Sequence, residues 1–541
     1  MRSRLLTSIA AFAVVGVALT SCSASSGTDT DAATTGITVG TTDKVTALDP
    51  AGSWDRGSAT LHAQVFSWLM TSAPGDTEPV PELAETAEFT SPTQFTVVLR
   101  DGITFANGNT LTASDVKFSF DRQIAIADQN GPSSLLSDLV STETDGENTV
   151  VFTLASENNT LWPQILSSPA GVIVDEDVFS ADAITPDDEI VAGDAFEGPY
   201  SISNYAVNSL VELTKNDTYD GLLGEAKNES VIVKYYADET NLKLDIQQGA
   251  IDVAYRTLSA TDVDSLRDED SLEVHTGPGS EMRFFAFNLE TMPFGSATPE
   301  ADETKALAVR TAIANLVDRE TIATQVYKDT YAPLYSIVPS SLSGASSPYM
   351  DLYGDGEGGP DTDKAEEALS AAGITETVSI NLQYNTDHYG ASSGDEYALI
   401  KSQLEESGLF EVNLQSTEWT QYVQQRKGDY PSYQLGWFAD YPDADNYLHL
   451  LEGTDEVPST LGTAANDPAF NDLVLEERAI EAGDERNAVI EEAQLVAAER
   501  LVTVPLFEGT EQAIAGTNIA GVDDTLDATG RFRFGLLSVT E

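Results

Sequence analysis

The sequence predicts an α/β protein of two or three domains, and three observations carry that reading. The chain has 541 residues, too many for a single core at the usual ~100–200 residues per domain. Short strand-like runs alternate with amphipathic helices along its first half, the order that builds α/β layers. The same alternation begins again near residue 280 and continues to about 500.

The first element is Arg2 and Arg4 followed by an uncharged apolar run from Leu5 to Leu19. Such a run has the length of a signal-peptide core and is short for a bilayer span. Leu19 to Cys22 reads LTSC and resembles a bacterial lipobox, in which the cysteine is acylated before cleavage. Cys22 is the only cysteine in the chain, and a lone thiol is a liability in an oxidising compartment. Residues 1–21 are therefore expected to be a lipoprotein signal peptide, with Cys22 as the lipid attachment site. Residues 22–36, small and polar, make a flexible tether. No later segment approaches 18 consecutive apolar residues.

Ile37 to Val39 opens the folded part as a strand, followed by TALDPA from Thr46 and a helix over Ala59 to Met70. FTVVLR, Phe95 to Arg100, alternates as a half-buried strand, and Thr112 is placed to cap a helix running through Asp121. A turn-rich module thus lies between about Glu78 and Asp194. GPYSISNYAVNSLVELTK from Gly198 reads as a hairpin, Val231 to Tyr236 as a strand, Glu239 to Gln248 as a helix and Ile251 to Ala254 as a strand. In the second half, a strand from Met282 precedes one long helix over Thr304 to Tyr327, with Leu307, Ile313, Leu316, Val317 and Ile322 near one face. Asp363 to Ala372 makes a helix closed by Gly373, Val378 to Tyr384 a strand, Tyr397 to Ser407 a helix ended by Gly408, and Val412 to Leu414 a strand.

Eighty-nine acidic against 27 basic residues give a formal charge of −62, or −64 once Arg2 and Arg4 leave with the signal. Such a surface repels nucleic acid and anionic lipid. The acidity is spread along the whole chain, as adaptation to a saline medium would spread it; a preference for cationic peptides is the ligand-related alternative. A hydrophobic content of 41% is enough to fill cores and argues against disorder. No G-x-x-x-x-G-K-S/T is present, so any ATP hydrolysis belongs to a partner.

Seven collinear motifs resemble the family 5 bacterial extracellular solute-binding proteins, the peptide, dipeptide and nickel-binding components of ABC importers. They are FTVVLRDGITFANGNTLTASDVKFSF at 95–120, GPYSI at 198, NDTYDG ending at Gly221, QQGAIDV at 247–253, FAFN at 285–288, VRTAIANLVDRETI at 309–322 and WFADYPDADNYL at 437–448. The resemblance implies a periplasmic-binding-protein-like, two-lobed fold of class II, cluster C type with an additional inserted domain. It assigns 37–77, 195–279 and 505–541 to lobe I, 78–194 to the inserted domain and 280–504 to lobe II. It also implies a monomeric, non-enzymatic receptor without cofactor. Such a receptor closes on a peptide by a hinge motion and hands it to an ABC permease with its ATPase subunits, in a periplasmic space or on the outer face of a single membrane.

A free peptide offers an ammonium, a carboxylate and a ladder of amides, so a receptor tolerant of side chains needs an acidic residue and an exposed strand edge. YQLGWFADYPDADNYL supplies both, with strand residues Leu435 to Ala439, including Trp437, Phe438 and Ala439, and then Asp440. By resemblance, Asp440 meets the peptide amino terminus, Trp437 walls the adjoining pocket, and the loop with Ser53, Trp54 and Asp55 touches ligand from the other side. Asp443 and Asp445 read as turn residues. Relatives for longer peptides often carry an arginine three positions before the tryptophan; here Gln434 stands there, which leaves the carboxylate partner unassigned.

Other chemistries have weaker footing. GASSG, Gly390 to Gly394, fits G-x-S-x-G around Ser392, with His449 downstream, but the polar run Asn385 to Tyr389 separates it from the strand end that a nucleophile elbow requires. His62, His275, His388 and His449 lack metal-type spacing, although His388 or His449 could meet a bound metal chelate. DGEGGPDTD, Asp355 to Asp363, lacks the regular acidic pattern of a calcium loop. Oligosaccharides, metal chelates and opine-like compounds remain the alternative solutes. A secreted serine hydrolase and a receptor that only signals are the alternatives of a different class.

Overall fold

The computed structural model describes residues 36–454 and 459–540. The signal peptide, Cys22 and nearly all of the expected tether lie outside the described residues. Among the described residues no helix is long and apolar enough to cross a membrane.

One mixed sheet of eleven strands organises the molecule. Its path runs Phe410–Ser416, Val378–Tyr384, Ser432–Trp437, Leu272–Phe287, Thr503–Gly516, Val253–Tyr255, Gly36–Thr41, Ser230–Tyr235, Leu210–Lys215 and Tyr200–Ala206, with Tyr331–Pro333 added beside Thr503–Gly516. The strand pairs at each end that are joined through helices are parallel, such as Gly36–Thr41 with Ser230–Tyr235 and Val378–Tyr384 with Phe410–Ser416. Tyr200–Ala206 and Leu210–Lys215 form the antiparallel hairpin expected at GPYSI.

Two long antiparallel strands, Leu272–Phe287 and Thr503–Gly516, belong to both lobes. Residues 272–278 pair with 516–510 on one side, 282–286 pair with 508–503 on the other, and the register shifts between Pro278 and Met282. Side chains are missing where the chains crowd there. A Cβ on Gly279 would stand 2.2 Å from the Gly509 carbonyl oxygen, and one on Gly277 would stand 2.2 Å from that of Leu526.

Hydrophobic cores lie on either side of this crossing. Ile37, Val39, Val231, Val233, Ala513 and Phe532 share one core, while Phe284, Ile313, Ile380, Tyr433, Val504 and Phe507 share another. A third core fills a separate antiparallel sheet of Ala84–Ser91, Gln94–Leu99, Thr149–Leu154 and Leu139–Asp145. The helix Ala113–Ile126 covers it, and Thr112 and Asp115 cap that helix reciprocally. Phe120, Phe152 and Trp162 meet there with ring centroids 4.8 to 6.4 Å apart. Leu69 and Met70 also pack in this third core, whereas Val172, Val174, Phe179 and Ile190 pack in the first. The chain therefore has the α/β two-lobed fold with a further sheet.

Several elements differ from the sequence expectation. The long helix over Thr304 to Tyr327 is two helices, Glu303–Leu316 and Arg319–Gln325. Val317 adopts an extended conformation, and Asp318 caps the second helix by accepting from the Thr321 amide at 2.9 Å. The helix expected over Ala59 to Met70 is Arg56–Val65, started by Asp55, and the chain beyond it enters a small strand at Met70–Ser72. The helix expected from Tyr397 begins at Ser392. Gly373 and Gly408 end their helices with φ of +75°, a conformation most side chains resist.

Candidate ligand-binding site

The strand Ser432–Trp437 ends opposite Met282, beside the register shift of the crossing strands. The chain then leaves the sheet as Phe438, Ala439 and Asp440, and Tyr441 is buried in the core of the third sheet. Asn446, 1% exposed, fixes this departure. Its Oδ1 accepts from the Trp437 indole at 2.8 Å and from the Asp440 backbone amide at 3.1 Å, while its Nδ2 faces an Asp440 carboxylate oxygen at 3.5 Å. Nothing in the spacing of the sequence marked Asn446 for this task.

Asp440 lines a cavity of about 460 Å³ together with Ser53, Trp54, Phe438 and Ala439, within the roughly 300–1,000 Å³ typical of small-molecule sites. These residues, distant in sequence, are brought together by the fold. Burial raises the Asp440 carboxyl above the ordinary aspartate range, against the lowering effects of Asn446, His449 and Trp54. Among the described residues no lysine or arginine forms a salt bridge with it.

Trp54 is 39% exposed and Phe438 44% exposed, so both offer apolar faces to the cavity. Ser53 is buried and donates to the Asp49 carbonyl at 3.3 Å. Their loop is held from below, because the buried Asp49 receives two hydrogen bonds from Arg122, at 2.9 and 2.7 Å, and one from the Thr185 amide at 2.7 Å. The Asp55 carboxylate is occupied by helix capping, accepting from the amide and hydroxyl of Ser58, each at 2.8 Å. The Trp437 indole does not line this cavity; it packs on the second core and against His449, with ring centroids 5.6 Å apart.

Asp443 and Asp445 sit in the following turn and are consumed by ion pairs, Asp443 with Arg486 at 2.7 Å and Asp445 with Arg478 at 2.5 Å. Gln434 faces the interior, 1% exposed. It accepts from the Asn385 amide at 3.1 Å and donates to Ser393 Oγ at 3.0 Å. It tightens the sheet and does not reach the cavity.

Phe438 and His388 line both this cavity and a second of about 460 Å³, which Arg256, Glu281, Arg283 and Tyr331 also line. The charges in that second space are mutually satisfied. Arg283 donates to Glu281 at 2.9 Å and to the Tyr327 and Tyr331 hydroxyls at 3.1 and 2.8 Å, and Arg256 pairs with Asp43 at 3.0 Å. His388 stacks on Trp419 at 3.7 Å. Ser392 lines the second space as the first residue of its helix, while His449 faces a third cavity with Asn446 and Arg478. The two therefore do not form a nucleophile and base. Among the described residues no group of three potential ligands is arranged to hold a metal ion.

At the end of the first cavity stands Arg531, which sequence reasoning did not single out. Its guanidinium lies over the Trp68 ring at 4.4 Å from the centroid and donates to Thr71 Oγ1 and the Ser167 carbonyl. Burial, with the neighbouring charge of Arg533, pulls it down to about 10.

Comparison with known proteins agrees with this architecture. The chain is 23% identical over 519 residues to the oligopeptide-binding protein OppA of Bacillus subtilis, with 90% of each chain covered. The structure of HbpA2 from Haemophilus parasuis superposes with a TM-score of 0.78 at 18% identity, covering 94% of this chain and all of that one. DppA from Helicobacter pylori, solved in complex with the peptide STSA, gives a TM-score of 0.69 at 19% identity over 94% and 98% of the two chains. Residues 78–459 match the model described as bacterial extracellular solute-binding proteins, family 5 Middle. With a two-lobed fold and a family match across most of its length, the chain belongs to the family 5 bacterial extracellular solute-binding proteins.

Proposed function

We propose that this protein is the extracytoplasmic receptor of an ABC importer, capturing peptides between its lobes and delivering them to the permease and its ATPase subunits. The observation that carries the peptide assignment is Asp440, a partly buried carboxylate with no cationic partner among the described residues, at the wall of a cavity with apolar faces. A peptide ammonium supplies the missing charge at the position where desolvation makes it worth most. OppA and the peptide-bound DppA support the same substrate class. On this reading 37–77, 195–279 and 505–541 compose lobe I, 78–194 the inserted domain and 280–504 lobe II. Closure bends the two strands that run through both lobes, at their glycine-lined register shift. The receptor acts as a monomer without catalytic turnover, and a lipid on Cys22 keeps it near the permease.

Native mass spectrometry of the freshly purified protein tests the substrate class, because a closed receptor retains its ligand. A ladder of peptide masses is expected; a sugar or metal-chelate mass would replace the peptide with another solute. Loss of peptide uptake on deletion separates an importer component from a receptor that only signals. Labelling of Ser392 by a fluorophosphonate probe would revive the hydrolase.

A further inference from the structure

The cavity beside Asp440 also contains a cation that the protein leaves unpaired. Arg531 follows Ala528, Thr529 and Gly530, which line the same cavity. Two residues on, Arg533 takes the nearby carboxylate, pairing with Asp527 at 2.6 Å. Arg531 thus has no salt bridge among the described residues, although a guanidinium so placed normally has one. Its acceptors are neutral, the Thr71 hydroxyl and the Ser167 carbonyl. A guanidinium has five N–H groups in a planar fork, so three find no protein acceptor among the described residues. Trp68 holds the plane from one side, which preorganises the remaining edge for a bidentate acceptor.

We propose that Arg531 binds the ligand carboxylate, so that this cavity of about 460 Å³ selects short zwitterionic peptides, with the ammonium toward Asp440 and the carboxylate toward Arg531. The inference rests on the peptide reading and adds to it a length class and the partner that Gln434 does not provide. The second cavity, whose arginines are already paired with Asp43 and Glu281, offers no comparable free cation. Length selection follows because the two unpaired charges line the same space of about 460 Å³. A longer chain could satisfy both charges only by folding back within that volume.

The test is a chemical double-mutant cycle. Pooled dipeptides and tripeptides, prepared as free acids and as C-terminal amides, are offered to the wild-type protein, Arg531→Gln and Arg531→Lys, and retention is read by native mass spectrometry and calorimetry. The wild type is expected to prefer acids over amides by at least about 30-fold, the factor for a desolvated charged partner. Arg531→Gln is expected to bind both alike, and Arg531→Lys to keep part of the preference. A purely structural Arg531 would change acid and amide binding equally, so persistence of the preference in Arg531→Gln overturns the assignment. Equal retention of acids and amides by the wild type overturns it while leaving peptide binding intact. Retention of neither pool overturns the peptide reading and this assignment together. Should Arg531→Gln fail to fold, Arg531→Lys decides: a reduced acid preference supports the assignment, and an undiminished one overturns it.

Discussion

Replacing Asp440 by asparagine separates recognition of a ligand ammonium from a structural duty, because the two make opposite predictions for the free protein. Asparagine keeps the shape and the backbone donation of residue 440 to Asn446 Oδ1 at 3.1 Å, and removes only the charge. Losing one member of a desolvated charge pair costs about 2–5 kcal/mol. Residue 440 is partly exposed, which places the loss near the lower end, about 2–3 kcal/mol, or roughly 30- to 150-fold in Kd. In the free protein the sign reverses. Burial raises the carboxyl, so ionising it costs folding free energy at neutral pH, and the unliganded variant is expected to be as stable as wild type or more so. The same group sets a pH signature. The free protein holds its proton to a higher pH than the complex, where the ammonium favours the carboxylate, so affinity falls as pH drops through the raised value. Asp440→Asn should flatten that fall. Calorimetric titration of a retained peptide, paired with thermal unfolding of ligand-free protein, measures each part. Unchanged affinity would remove Asp440 from the site, and an affinity loss matched by a loss of free-state stability would reassign it to the framework.

Three further substitutions probe the surroundings. Asn446→Ala strands the Trp437 indole and the Asp440 amide; stability should fall by about 1–3 kcal/mol together with affinity, and a denaturation midpoint equal to wild type would contradict that. Glu396 is fully buried, accepts from the Tyr327 hydroxyl at 2.6 Å and is pushed by burial up to about 7 from 4.5. The folded state therefore holds this proton more tightly than the unfolded chain, and stability falls by about 3 kcal/mol as pH rises from 4.5 to 7, at 1.36 kcal/mol per unit. Glu396→Gln should remove that slope in urea unfolding followed across pH, and an unaltered slope would mean that Glu396 is not its source. Gly279→Ala puts a methyl 2.2 Å from the Gly509 carbonyl; the crossing strands must part, costing about 1–3 kcal/mol, and an unchanged unfolding midpoint would argue against tight packing at the crossing.

Features governed by neighbouring residues were legible in the sequence. Thr112 marked a helix start, Gly373 and Gly408 marked helix ends, and Val378–Tyr384 read as a strand, because caps, turns and local pattern act over a few residues. The WFAD segment and the loop at Ser53 and Trp54 were legible through resemblance; Phe438, Ala439 and Asp440 line one cavity with that loop, while Trp437 turns away onto the core. Strand length was less legible. Leu272–Phe287 extends ten residues before the run that begins at Met282, because its pairing is set by Thr503–Gly516 on the far side of the chain. The break at Val317 was also hidden, since the apolar stripe continues through it while Asp318 restarts the helix.

By itself, then, the sequence determined the family and the α/β succession, and it nominated Asp440 as the acidic residue for a ligand. Only the tertiary structure decided which charges remain free. Asp443 and Asp445, read from the sequence as turn residues, are held in their turn by Arg486 and Arg478, and Asp55 caps the helix Arg56–Val65. Arg531, ordinary in sequence, became the unpaired cation because Asp527 went to Arg533 and Trp68 came beneath it. Charge pairing depends on distances in space between residues remote in the chain, and local pattern carries no information about those distances.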